Sequence, residues 1–249
     1  MRPNGAWYAR GGSRLREFYT ILHLPYTSMV LSYVLIGAVL SPTIHLDRLA
    51  LTLLAYFLGL GFSAHALNEL YAANWTGRLG KAELRATFLL PLCGALAVGA
   101  YGMFKLFSES SSIMAPITLM TFMILETFFL FAYNSDAFNG RFHSDTWFAF
   151  SWATLPTLIS YYVNALTITP EALLVAVGMA ATAGIEINLS RWCKDFRRGS
   201  TLTELHFEDG THQRMNTLEL VAKPEKALKL IVLAVDIIAI GLITYRLLP

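Results

Sequence analysis

The stretch "GFSAHALNEL" places His65, Asn68 and Glu69 three and four residues apart at the end of an apolar run. At those spacings an imidazole, an amide and a carboxylate share one face of a helix. Such groups are costly at membrane depth, so they point to a bundle interior or a wet pocket rather than to lipid. Two other segments carry similar chemistry. "GIEINLSRWCKDFRR" brings Glu186, Asn188 and Arg191 to the end of a second apolar run, and "AYNSDAFNGRFHSD" supplies Tyr133, Asn134, Arg141, His143 and Asp145 after a third. Carboxylates, amides and arginines at three run ends predict a shared polar site. The plainer alternative is that each set caps its own helix in interfacial water, which is the simplest account of Asn68 and Glu69.

The elements that would position these residues are membrane helices. Of the 249 residues 55% are hydrophobic and only 14% charged, against about a quarter charged in a soluble domain. The apolar residues gather in seven runs, at 25–42, 48–70, 84–106, 114–134, 146–166, 170–189 and 227–247. Each is near the ~20 residues that cross a bilayer as a helix. The ten-residue alternating segments of a membrane β-barrel do not occur. The expected fold class is therefore all-α: one polytopic domain over 1–249 with about seven transmembrane helices. Its soluble piece is an insert at about 191–226, in which Asp209-Gly210 predicts a hairpin turn.

Of the 19 Lys and Arg, all but Arg48, Lys105 and Arg246 fall on one side of this topology. The positive-inside rule then puts the N-terminus in the cytoplasm and the C-terminus outside. The three polar run ends lie on that same inner side. A net charge of +2 gives no basis for nucleic-acid binding, and Cys93 and Cys193 form no disulfide or zinc pattern.

The order of these features resembles the UbiA superfamily of intramembrane prenyltransferases, over about residues 14–198. "LHLPYTSMVLSYVLIGAVL" has Pro25, Thr27 and Gly37 where that family opens its first helix, with Leu24 at a frequent arginine position. "NELYAANWT" matches the start of the family's aspartate motif at Asn68 and Glu69, but Ala72 and Thr76 stand where its later aspartates fall. Glu186 stands in the region of the second aspartate cluster. The resemblance implies a UbiA-like bundle in which Asn68, Glu69 and Glu186 are catalytic and Glu69 and Glu186 hold Mg²⁺. It further implies that His65, Arg78, Tyr133, Asn134, Arg141, His143 and Arg191 bind substrate. The partners would be a prenyl diphosphate, a hydrophobic acceptor and membrane lipid.

Two functions follow. One is a prenyltransferase with a thinned metal site, moving an isoprenoid chain to a hydrophobic acceptor at the cytoplasmic face. The other is a non-catalytic relative that binds lipid or isoprenoid, or serves as a complex subunit. Glu126 and Asp236, near the middles of their runs, are expected to form interhelical bonds that fix packing, the alternative being a proton or ion path. Gly59, Gly61, Gly94, Gly99, Gly178 and Gly184 are expected where helices pack closely.

Overall fold

The computed structural model describes residue 8 and residues 13–71, 79–199 and 202–248. Apart from one hairpin, its regular structure is helical. The first rod is α1 (Arg14–Ile21) and α2 (Leu24–Leu40). They are separated at His23, which takes the left-handed conformation with φ 43°. That conformation is uncommon for a non-glycine residue. Pro25 then restarts the helix where its missing N–H costs nothing, and Thr27 Oγ1 donates to Leu22 O at 2.6 Å across the break.

The second rod is α3 (Leu46–Tyr56), a π-helical stretch (Phe57–Ala64) and α4 (His65–Tyr71). Next come α5 (Lys81–Glu109) and α6 (Met114–Asn134). The fifth rod joins α7 (Asp145–Ala149), a second π stretch (Phe150–Thr154) and α8 (Leu155–Ala165). After it run α9 (Pro170–Gly199), the antiparallel strands β1 (Leu202–His206) and β2 (His212–Asn216), and α10 (Thr217–Leu247).

Six of these rods are long and apolar enough to cross a membrane. The fifth, "DTWFAFSWATLPTLISYYVNA", is less apolar because it is the most enclosed. Leu155 to Asn164 are all buried, and α8 packs on α2, α3, α6 and α9. Facing protein rather than acyl chains, it can carry Ser, Thr and Tyr whose hydroxyls find partners inside. Thr157 donates to Ala153 O at 2.8 Å, and Tyr162 donates to Ala115 O at 3.2 Å.

The insert is shorter than the sequence reading of 191–226. Helix α9 continues to Gly199 and α10 begins at Thr217. Both extensions are polar, so hydropathy does not mark them. What does mark the start of α10 is a capping box: Asn216 Oδ1 accepts from Glu219 N at 2.9 Å, and Glu219 Oε2 accepts from Asn216 N at 3.1 Å. The expected hairpin is present, in register from Leu202↔Asn216 to His206↔His212. Asp209 holds its turn by accepting from Thr211 N and Oγ1 at 2.9 and 2.6 Å, and Gly210 supplies φ 81°.

The glycine reading is corrected in part. A Cβ on Gly61, Gly94 or Gly99 would press on Thr27, Leu58 or Met123 at 3.4 Å or less, and one on Gly59 would meet Ala95 at an ordinary 3.7 Å. Gly178 and Gly184 meet no atom of the described residues within 4 Å. The tightest approach is instead at Gly37, where a Cβ would lie 2.1 Å from the Thr157 carbonyl oxygen. The bundle therefore turns on an α2–α8 contact that admits only glycine. Gly37→Ala is expected to lower the thermal stability of the purified protein by about 1–3 kcal/mol, the usual cost of overpacking. Gly178→Ala should be neutral or stabilise by up to ~1 kcal/mol through helix propensity. Equal melting midpoints for the two variants would contradict the packing account.

Candidate functional site

The residues singled out by type and spacing fall into two linked groups at one end of the bundle. In the first, the π stretch Phe57–Ala64 carries an extra residue per turn and so resets the face on which α4 presents its side chains. His65 is 5% exposed, its Nδ1 3.1 Å from Gly61 O. Its ring stacks on His23 with centroids 4.2 Å apart and an interplanar angle of 27°. His23 Nε2 in turn lies 3.5 Å from Glu69 Oε1, both side chains being almost wholly buried. The left-handed turn at His23 thus aims an imidazole at the carboxylate of α4. Asn68 is half-buried on the same helix.

Aromatic rings tie this group to the second. Tyr26 has its ring 6.0 Å from His23, 6.5 Å from His65 and 6.1 Å from Phe148. Trp152, on the second π stretch, stacks on Phe148 at 5.1 Å and lies 5.7 Å from His65 and 6.1 Å from Tyr133. Tyr133 stacks almost flat on His143, with centroids 4.6 Å apart and 7° between planes. His143 Nδ1 is 2.9 Å from Tyr133 O and 2.8 Å from Asp136 Oδ1. Arg191 donates from Nη2 to Tyr133 Oη at 3.3 Å, and its Nη1 lies 2.8 Å from Asp145 Oδ1. Asn134 is buried and spends its amide on Leu130 O at 2.9 Å.

Glu186 is fully buried, and neither of its carboxylate oxygens has a hydrogen-bond partner among the described residues. Trp152 Nε1 likewise lacks an acceptor among them. Lys194, two turns beyond Glu186, sets its ammonium 5.6 Å from the Tyr26 ring centroid, within cation–π range. The Tyr8 ring sits 5.4 Å from His23 and 6.3 Å from Tyr26. Burial, with Tyr26, Glu69 and Glu186 nearby, pushes its phenol well above the usual range.

His65, Glu69, Tyr133, His143, Glu186 and Arg191 therefore meet around one buried polar cluster. Arg141 does not: it is exposed, on a loop turned outward by the left-handed residues Asp136, Phe138, Asn139 and Gly140. Arg78 lies outside the described residues. Sequence reasoning missed Tyr8, His23, Tyr26, Trp152 and Lys194. Lys194 was findable, since it stands eight residues after Glu186 and so near the same helix face. His23 was not, because its role depends on a turn that its neighbours do not announce.

The donor set does not fit a magnesium diphosphate. Mg²⁺ takes oxygen ligands in near-octahedral geometry and relies on carboxylates and phosphate together. No group of three His, Cys, Asp or Glu able to hold a metal ion occurs among the described residues. Glu69 already faces His23, and Arg191 is engaged by Asp145 and Tyr133.

A separate apolar groove, with a cavity volume of about 130 Å³, runs between the second, third, fourth and fifth rods. Arg48 and Lys105 stand at one end, and Leu60 and Leu130 line it further along. Its interior acid, Glu126, accepts from Tyr56 Oη at 2.6 Å, so the expected interhelical bond is present. No family model, curated protein or solved structure matches the chain.

Proposed function

We propose that this multi-pass membrane protein binds an isoprenoid-type or similar long-chain lipid, with the chain in the groove and the polar end toward the buried cluster, and that it does so without metal–diphosphate chemistry. The carrying observation is the placement of groove and cluster on the same helices. Leu60 of the groove is five residues before His65, and Leu130 is three before Tyr133. At a rise of about 1.5 Å per residue the two sites are only ~5–8 Å apart along each rod. Arg48 to Leu60 gives a run of roughly 18 Å by the same rise, enough for a long chain. Chain burial supplies affinity at about 0.8 kcal/mol per methylene, while the cluster offers directional partners for a head group.

A UbiA-like transferase is the second reading. What favours it is the fully buried Glu186 beside Tyr26, whose ring packs on Phe148, a setting suited to positive charge. A binding titration separates the two. Purified protein in detergent is titrated with labelled geranylgeraniol and geranylgeranyl diphosphate, with magnesium and with chelator. Lipid binding should be indifferent to chelator. Ala95→Phe, which fills the groove, should weaken it about tenfold, equivalent to ~1.4 kcal/mol. Binding confined to the diphosphate with magnesium, and lost in Glu69→Gln, would replace this reading by the transferase.

The proposal includes the orientation given by the charges, with seven spans, the hairpin and the polar cluster on the cytoplasmic side. Cys193 is a poor reporter of this, being only 2% exposed. Glu208, on the exposed turn, is better placed. A Glu208→Cys protein should resist an impermeant maleimide in intact cells and react after permeabilisation. Reaction in intact cells would reverse the topology.

A further inference from the structure

Glu186 is the least explained group in the molecule, and the helices around it supply more oxygen. It lies on α9 one turn after Thr182 and on the same face. Thr182 Oγ1 is 2.9 Å from Tyr33 Oη. The residue before Tyr33, Ser32, donates to Asp236 Oδ1 on α10 at 2.8 Å. Helices α2, α9 and α10 thus bring two carboxylates, two hydroxyls and a phenol into one neighbourhood. The electrostatic neighbours of Glu186 are accordingly Asp236 and Lys194, and Tyr33 has both acids as neighbours.

We infer that Glu186 and Asp236, with Ser32, Tyr33 and Thr182, form a binding site for a single sodium ion. The ligand set is oxygen only, which selects a hard cation and not a transition metal. Charge selects a monovalent one: two carboxylates against the Lys194 ammonium leave one negative charge to neutralise. Neither oxygen of Glu186 has a hydrogen-bond partner among the described residues, so no hydroxyl or N–H donor there already satisfies it. Burial makes the demand strict, because Glu186 is 0% exposed and an uncompensated carboxylate there is expensive. The site lies apart from the apolar groove, shares Glu186 with the polar cluster, and would clamp the first rod to α9 and α10.

The test is the thermal midpoint of the purified full chain in detergent, at fixed ionic strength, as NaCl replaces choline chloride or KCl. Specific binding raises the midpoint with sodium concentration by mass action. The expected result is a rise with Na⁺ that K⁺ and choline do not reproduce, lost in Glu186→Gln. Ser32→Ala, which keeps both carboxylates and replaces a small side chain by a smaller one, should fold and shift the sodium dependence to higher concentration by about tenfold. Equal midpoints in all three salts would overturn the site. So would a sodium response that survives both substitutions, or a midpoint that follows pH alone, the behaviour of a proton pair.

Discussion

A bilayer offers no water to a stray polar atom, so every ionisable side chain placed in a span must find its partner within the protein. That constraint organises this molecule more than any single apolar contact does. Tyr56 meets Glu126, Ser32 meets Asp236, His23 meets Glu69, and Arg246 ties the last helix to the carbonyls of Val39, Ser41 and Pro42. Each pairing joins two rods, so the same bonds that satisfy polar groups fix which helices are neighbours. At the Arg48 end of the groove, Arg48 spends one nitrogen on Val163 O and another on Glu109, while Lys105 holds Asp47 and Glu109. Glu186 stands apart from this pattern, which is why it carries the inference about sodium.

Helical irregularity is the means by which the cluster is assembled. Straight rods would spread His65, Trp152 and His23 over different faces of their helices. A π stretch before His65, another containing Trp152 and a left-handed break at His23 turn all three toward one point. Wide turns of this kind are frequent at functional sites. Close packing sets the remaining distances: Gly61 lets Thr27 approach α2 to the second rod, and Gly37 seats α2 on the carbonyl of Thr157.

Much of the architecture was legible in the sequence because bilayer thickness fixes span length. The apolar runs correspond to the observed rods, including the enclosed fifth, whose Ser, Thr and Tyr content lowers its hydropathy. The polar ends of α9 and α10 were not legible by hydropathy, and α10 carries Pro224, a residue that disfavours a helix interior. At the site, spacing brought out His65, Glu69, Glu186 and Arg191 because they stand near the ends of apolar runs. It failed for His23, whose direction is set by one backbone angle, and for Arg141, whose loop turns outward. Gly37 was visible as a residue but not as a contact, since its partner is a carbonyl 120 positions away.

The central claim is that the groove and cluster hold one long-chain lipid. The most direct measurement is native mass spectrometry of the protein extracted in mild detergent, followed by release and identification of whatever stays bound. The account predicts one retained neutral long-chain lipid per chain in the wild type, lost from Ala95→Phe and insensitive to chelator. A spectrum of protein alone, or of phospholipids in variable number that Ala95→Phe leaves unchanged, would contradict it.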